Sequence, residues 1–271
     1  MRRRWHFFMD KQALKLMTLN IRHGWKIGQK NPFRRNVFQG RTRIEKNLDE
    51  IAFLHRTEEA DIVALQEADR CALWSGKFNH IAYLAAKAGY REAIQGEHVN
   101  RPKLAPKLSL NLLYGTALLS RLPMSDSRSV SFDPSPPMFR KGFVTGTIVW
   151  PGRPETEVDI VSLHLDCYRS RIRSRQADEI MDFFYPRRRP MVVMGDFNCE
   201  WHHKKSSLRR LCDRLDLKTY APEMRIPTCP KIGRRVDWIL VSPELEFLSY
   251  RILSEIKVSD HKPVVATIGL K

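Results

Sequence analysis

Five short segments of this chain put polar or acidic residues at the ends of apolar runs. They are Leu19-Asn20, Leu65-Gln66-Glu67, Ser162-Leu163-His164-Leu165, Gly195-Asp196-Phe197-Asn198, and the pair Val236-Asp237 with Ser259-Asp260-His261. Glu67 follows Ile62-Val-Ala-Leu-Gln, so its carboxylate sits where a buried strand emerges, a poor place for an unpaired charge. A carboxylate with one or two more oxygen ligands suits Mg²⁺ or Mn²⁺, ions that keep several waters and bind substrate phosphate. Gly195 lets the backbone approach a ligand, and the short side chains of Asp196 and Asn198 then project side by side. Asp196 is placed to orient or deprotonate a nucleophile, and Asn198 to donate a hydrogen bond to a five-coordinate phosphorus. Asp260-His261 sets a carboxylate beside an imidazole, so one group can serve a metal while the other moves a proton. A separate carboxylate on the other ring nitrogen would fix the tautomer, and Asp237 is the candidate. A lone carboxylate at a strand end is as readily a solvated group, and Asp-Phe-Asn alone reads as an Asx turn. A lone histidine is more often structural than catalytic, and His23, His55, His80, His98, His202 and His203 are read that way.

These groups need rigid elements behind them. Short β-rich runs recur at Leu14 to Ile21, Ile62 to Gln66, Thr116 to Leu119, Phe143 to Trp150, Val158 to Leu165, Met191 to Met194, Val236 to Val241 and Pro263 to Ile268. Ile44, Leu48 and Ile51 recur at helical spacing, which predicts an amphipathic helix over Arg43 to Thr57. Ala177, Ile180, Met181 and Phe184 predict a second over Arg173 to Tyr185, stopped by Pro186, and a third lies near Ser206 to Leu215. No Rossmann fingerprint or P-loop follows any strand, so a sheet-on-sheet core with outer helices fits better than a doubly wound nucleotide fold. No Gly-, Ser- or Pro-rich linker divides the chain, and Pro134 to Pro137 and Pro151 to Pro154 read as surface turns. The expected organisation is a basic N-terminal extension over residues 1–13 and one domain over 14–271. Residues 1–43 carry twelve Lys/Arg and one acidic residue, and Arg35 to Gln39 show no helical stripe, so a basic arm or loop is expected there.

The 271 residues contain 42% hydrophobic and 28% charged residues, an ordinary globular composition and not that of a disordered chain. No apolar run approaches the roughly 20 residues a transmembrane helix needs. Lys and Arg number 47 against 30 Asp and Glu, a formal net charge of +17 that should attract phosphate polyanions or anionic membrane faces. Five scattered cysteines with no C-x-x-C suggest neither a disulfide framework nor a zinc ribbon, and a reducing compartment is the simplest reading. The start, Met1-Arg-Arg-Arg-Trp-His-Phe-Phe-Met, has too short an apolar stretch for a secretory signal, so a cytoplasmic location is expected.

In order and spacing, these segments, with Leu118-Leu119-Ser120-Arg121 and Arg235-Val236-Asp237-Trp238-Ile239, resemble the endonuclease/exonuclease/phosphatase superfamily across about residues 14 to 268. The Arg175-Gln176 pair and Thr228 are similar to secondary positions of that family. The resemblance implies a four-layer α/β/β/α sandwich, two mixed sheets face to face with helices outside, and a Mg²⁺-dependent cleft that hydrolyses phosphate esters. By matching positions, Glu67 is the principal metal ligand, with Asn20 and Asp260 beside it. His261 is implied as general base or phosphate-polarising acid and Asp237 as its orienting carboxylate. His164 is implied to stabilise the pentavalent oxygens, and Asp196 with Asn198 to position the attacking water. Two departures speak against abasic-site repair. Arg22 stands where the family's abasic-site endonucleases place an Asp near the metal, and it favours phosphate contact over a second metal. Leu113 falls where their tyrosine stands, with Tyr114 one place late and, in a strand, on the opposite face.

Membership does not fix a substrate. Arg169, Arg171, Arg173 and Arg175 follow the His164 segment, and Lys204, Lys205, Arg209 and Arg210 follow Gly195 to Asn198. With Arg22 and Arg121, the arginines at 171, 173 and 175 are the substrate-binding candidates. Charge beside catalytic strands suits the sequence-independent phosphate contacts of nucleases, so nucleic acid is the expected partner. The runner-up is a phosphatase or phospholipase acting on phosphoinositides or other anionic lipid headgroups, with Trp5, Phe7 and Phe8 beside Arg2 to Arg4 able to touch a membrane. A degenerate, non-enzymatic scaffold is disfavoured because every proposed catalytic position keeps a competent residue.

Overall fold

Along the first strand, β1 (Ala13–Asn20), Leu14 and Leu16 turn to one side and Met17 and Leu19 to the other, so both faces are buried. The same two-sided burial marks the central strands and calls for cover on each side. In a computed structural model describing residues 13–27, 37–72, 75–96, 98, 114–134, 140–203 and 206–271, that cover is a second sheet and a layer of helices. β1 is followed by α1 (Val37–Thr57), β2 (Ile62–Asp69), α2 (His80–Ala88), β3 (Glu92–Gln95), β4 (Tyr114–Ser120), β5 (Ser125–Ser131) and β6 (Gly142–Trp150). Then come β7 (Arg153–His164), α3 (Ser170–Phe184), β8 (Met191–Asp196), α4 (Ser207–Leu215), β9 (Lys218–Thr219), β10 (Asp237–Val241), β11 (Leu245–Ile252) and β12 (Val264–Leu270).

The strands form two six-stranded sheets ordered β11-β12-β1-β2-β4-β3 and β5-β6-β7-β8-β10-β9. Each is antiparallel except for one central parallel pair, β1 with β2 and β7 with β8, and each pair is joined through a helix. The two orders are topologically the same: β1-α1-β2-α2-β3-β4 matches β7-α3-β8-α4-β9-β10, and the hairpin β11-β12 matches β5-β6. This repeat of topology has no counterpart in repeated sequence. Leu14, Leu16, Ile62, Ala64, Val144, Ile160, Val192, Met194, Ile239 and Val264 pack between the sheets. Ile44, Leu48, Ile81 and Leu84 cover the outer face of one sheet, and Ala177, Ile180, Leu208 and Leu211 that of the other. The result is the expected four-layer α/β/β/α sandwich.

Each expected strand and helix is present, with ends shifted by a few residues. β2 runs three residues past Gln66, and α1 begins at Val37, so the last part of the Arg35 to Gln39 stretch is helical, not a loop. Pro151 begins a turn, but Arg153 and Pro154 already belong to β7. The extension up to residue 12, with its Trp5, Phe7 and Phe8, lies outside the described residues, as do Leu113, Pro136, Pro137, Lys204 and Lys205. The expected list omitted α2 and β3, β5, β9 and β11. β5 reads Ser-Asp-Ser-Arg-Ser-Val-Ser and is a largely exposed edge strand with no hydrophobic pattern to announce it. All five cysteines are free, and no helix among the described residues is long and apolar enough to cross a membrane.

One core histidine has a measurable consequence. His55, near the end of α1, is fully buried, neither ring nitrogen has a hydrogen-bond partner, and the Tyr90 ring meets it edge-on with centroids 5.8 Å apart. Burial, aided by Arg121 and Arg56, lowers its pKa to about 3. The unfolded chain therefore takes up a proton below pH 6.5 that the folded one refuses, and stability falls from there towards pH 3. At pH 5 this amounts to about 2 kcal/mol. His55→Leu should remove that loss, so urea melts at pH 5 and pH 7.5 should differ less for the variant than for the parent. An equal difference in both proteins would show that His55 is protonated in the fold.

Candidate active site

The period of two that builds the inter-sheet core also delivers the site. Asn20 continues the inward row Leu14, Leu16, Thr18, and His164 continues Val158, Ile160, Ser162. Asp196 follows Val192 and Met194, and Asp237 precedes Ile239 and Val241. All four emerge at one end of the sandwich, because β1, β7 and β8 end there and β10 begins there. Thr18, Gln66 and Ser162, linked by contacts of 3.3 and 3.4 Å, form the transition from apolar core to polar cleft.

Glu67 arrives by another route. On strict alternation it would face the helix layer with Val63 and Leu65. Between Leu65 and Ala68 the pairing with β4 gains one residue, and Glu67 takes a left-handed φ of 51°. Such a bulge re-aims a side chain, and a non-glycine residue in this conformation is strained. A second strained turn follows β1, where Arg22, His23 and Gly24 have φ of 48°, 55° and 77°. Gly24 is required there, since a Cβ would lie 2.6 Å from Ile44 Cγ2. Asn47 on α1 donates to the carbonyls of Gly24 at 3.0 Å and Val258 at 2.9 Å, tying together two loops that carry site residues.

Asp196 is the hub. Its Oδ2 accepts from Asn20 Nδ2 at 3.1 Å and lies 3.3 Å from His164 Nε2 and 4.0 Å from His261 Nε2. Its Oδ1 accepts from the Asn198 backbone N–H at 2.9 Å. His261 Nδ1 is 2.8 Å from Asp237 Oδ2, so the suspected orienting pair is in contact. Asp237 is itself held where Thr228 Oγ1 accepts from the backbone N–H groups of Val236 and Asp237. Asn198 donates to the Leu165 carbonyl at 3.0 Å, which engages one of its two amide hydrogens.

Burial and charge set these groups apart in acidity. Burial, then the neighbouring charge of Asp237, pushes Asp196 up to about 6. Burial disfavours a charged His261, but Asp237 and Asp196 outweigh it and hold its pKa well above the ordinary value. Burial, with Lys141 and His261 nearby, holds His164 well below its ordinary value. Glu67 is lowered despite burial, because His23, Lys141 and His261 favour its charged form. The site therefore pairs a carboxylate able to take a proton near neutral pH with a histidine that stays charged, and such separation marks functional groups.

Two site residues went unread in the sequence. Lys141, buried just before β6, contacts His164 Nε2. An ammonium only donates, so Nε2 accepts and the ring proton sits on Nδ1. His23, expected to be merely structural, lies 2.8 Å from Asp69 Oδ1 and 3.4 Å from Glu67 Oε2. Burial opposes its charge, but Asp69 and Glu67 raise its pKa to about 9. Glu67 thus has cationic neighbours that come from other segments.

The substrate candidates divide. Arg22 lies at the cleft with Nε 3.4 Å from Asp260 Oδ2, so Asp260 has a cationic partner of its own. Arg171 is exposed on the first turn of α3, and Arg175, one turn on, pairs with Asp133 and Glu179. Arg173 is buried and donates to the Asp166 carbonyl at 3.0 Å, while Gln176 accepts from the Asp166 N–H at 2.8 Å. These two brace the loop after β7, and Arg173 is not available to substrate. Arg121 lies at the far end of the sandwich, because Ser120 pairs with Ile62 at the start of β2, and it donates to the carbonyls of Ala60 and Ala88. Its charge is remote from the cleft.

A divalent cation fits these donors. Asp196 and Asp237 present carboxylate oxygens within 4.8 Å of one another and of a ring nitrogen of His261, and the buried Asp237 Oδ1 has no hydrogen-bond partner, so the carboxylates are the donors and the charged His261 is their neighbour. Glu67, which accepts from the Asn20 side chain, offers a further carboxylate, and Asn20 Oδ1 accepts from the Arg22 N–H at 3.0 Å with a lone pair to spare.

The family model of the endonuclease/exonuclease/phosphatase family matches residues 17–261, which spans every residue of this site. No curated protein matches the chain in sequence. Among solved structures, an endonuclease/exonuclease/phosphatase from Beutenbergia cavernae is 20% identical with a TM-score of 0.70, the match covering 96% of this chain and 72% of that one. The human Nocturnin catalytic domain, solved with a bound sulfate anion, is 18% identical with a TM-score of 0.69 over 96% of both chains. A family protein from Bacteroides thetaiotaomicron is 16% identical with a TM-score of 0.68 over 96% of this chain and 98% of that one. These likenesses establish the shared fold, and the family match across nearly the whole chain establishes membership: the protein belongs to the endonuclease/exonuclease/phosphatase family, whose members are phosphoesterase hydrolases.

Proposed function

We propose that the protein is a Mg²⁺-dependent phosphodiesterase, with Mn²⁺ able to substitute, that cleaves nucleic acid. The observation that carries the reading is the convergence of Asn20, His164 and His261 on Asp196, with Asp237 behind His261. Glu67, Asn20 and Asp260 would hold the metal, which neutralises phosphate charge and polarises the phosphorus centre. Asp196, oriented by the Asn198 backbone, holds the attacking water and draws its proton. His261, kept protonated by Asp237, donates a hydrogen bond to a phosphoryl oxygen, which favours the polarising role over that of general base. Lys141, which donates to His164 Nε2 and is positioned by it, adds positive charge where negative charge builds up on the oxygens of the transition state. Arg22 contacts a neighbouring phosphate.

Nucleic acid is favoured over lipid by where the remaining positive charge sits. α3 and α4 are the helices that follow β7 and β8, the strands whose ends carry His164 and Asp196, which supports their N-termini and Arg171, Arg175 and Arg209 as phosphate contacts. Nocturnin's catalytic domain, of the same fold, holds a sulfate anion, in keeping with an anion-binding surface on this scaffold. Each backbone phosphate neutralised by the arginines releases counterions, lowering log K by about 0.9 per tenfold rise in salt on duplex DNA or about 0.7 on single strands. Arg171→Ala with Arg175→Ala should weaken binding and flatten the salt slope by up to about two contacts while hydrolysis of a small phosphodiester is kept. Arg173 is left intact because its loss would disturb the loop. An unchanged slope with turnover confined to phosphoinositides would favour the lipid-directed alternative.

A further inference from the structure

We propose that His23 is a nitrogen ligand of the divalent metal, so that the site at Glu67 is a mixed imidazole-carboxylate centre rather than an all-oxygen one. The inference rests on the metal-dependent reading above and goes beyond it in naming a ligand and a metal preference. Asp69 Oδ1 lies 2.8 Å from His23 Nδ1, so the Nδ1–H is donated to a buried carboxylate and the ring cannot swing away. The other nitrogen, Nε2, faces Glu67 Oε2 at 3.4 Å. Two donors bound to one ion at about 2.1 Å, at angles between octahedral and tetrahedral, stand about 3.0 to 3.4 Å apart. The observed separation is at the upper end of that range.

A metal-binding histidine is usually held in this way, by a carboxylate on the nitrogen opposite the metal. His23 also sits in strained backbone, at a φ of 55° next to Arg22 at 48° and across from Glu67 at 51°, and such strain concentrates at functional sites. When the ion binds, it takes the place of the proton shared by His23 and Glu67, and that proton leaves to solvent. His23 would join Glu67, Asn20 and Asp260 in the ligand set, and the Arg22–Asp260 ion pair, 3.4 Å apart, leaves the second Asp260 oxygen for the ion. Nitrogen donors favour Mn²⁺ and later transition metals, whereas Mg²⁺ prefers oxygen. The expected consequence is a site that binds Mn²⁺ well in excess of Mg²⁺.

The test is pulsed EPR on the 271-residue chain stripped with chelator and reloaded with Mn²⁺, with Mn²⁺ and Mg²⁺ affinities measured in parallel by titration. The wild type should show ¹⁴N modulation from a directly bound imidazole, replaced by the ¹⁵N pattern after histidine labelling. His261→Ala, which removes the histidine paired with Asp237, should keep the modulation. His23→Asn, chosen because asparagine tolerates the left-handed backbone, should lose it and weaken Mn²⁺ binding by about tenfold or more while changing Mg²⁺ less. The labelled wild type keeps the test decisive should that variant fold poorly. Mn²⁺ bound without nitrogen modulation, or modulation that disappears only in His261→Ala, would overturn the assignment of His23 and leave the metal-dependent reading standing. Absence of any Mn²⁺ binding would overturn both.

Discussion

Glu67→Gln is expected to fold like the parent and to lose about 10² to 10⁴ in kcat/KM on the best phosphodiester. The substitution is nearly isosteric and keeps the β2 bulge, but it removes the carboxylate charge aimed into the cleft. That charge is held in its ionised form by His23, Lys141 and His261, so the folded chain concentrates positive neighbours around one anion. In the mechanism proposed above, Glu67 would hold the metal together with Asn20 and Asp260. Losing it removes several kcal/mol of Lewis-acid stabilisation, at about 1.4 kcal/mol per factor of ten in rate. Circular dichroism should show an unchanged fold. Full turnover by the variant with the parent's metal requirement would remove Glu67 from the mechanism.

His261→Ala should cost about 10² to 10⁴ as well, the usual size for a positioned proton-transfer group. Asp237→Asn gives the sharper result because it moves two acidities together. His261 acts while protonated, a state present below its folded pKa and lost as pH rises through it. Asp196 acts while ionised, a state present above its own pKa of about 6 and lost as pH falls through it. Asp237 raises both pKa values, so replacing it with a neutral residue lowers both. The bell-shaped profile of kcat/KM should keep its form and move to lower pH at both limbs. A reduced but unshifted profile would mean that Asp237 supports structure without tuning either group.

Much of this site was legible because strands impose a period of two. Leu14, Leu16, Thr18 and Asn20 share a face, as do Val192, Met194 and Asp196, so an apolar run ending in a polar residue of the same parity announces a group at the mouth of a sandwich. Asp237 is the candidate partner of His261 on imidazole chemistry and on family position alike, and the two side chains are in contact. The failures have physical causes too. His23 lies in a turn, where no periodicity tells a cleft-facing ring from a solvated one, and its partner Asp69 follows a bulge that no alternation rule anticipates. Lys141 precedes β6 and meets His164 only because Gly142 pairs with His164 across strands. Arg173 and Arg121 were chosen for charge near a motif, but sequence proximity does not say which side of a helix or which end of a sheet a residue occupies. The polar edge strand β5 and the short β9 carried too little apolar pattern to stand out from loop.

Metal-assisted phosphodiester hydrolysis of nucleic acid can be assayed on the protein itself. Purified protein is incubated with supercoiled plasmid, single-stranded RNA, phosphoinositides and sphingomyelin, with Mg²⁺, with Mn²⁺ and with chelator, beside an identically prepared His261→Ala control. The expected result is metal-dependent cleavage of a nucleic acid by the wild type, abolished by chelator and reduced at least about 100-fold in the control. Equal cleavage by wild type and control, or folded wild type that hydrolyses only the lipids, would contradict it.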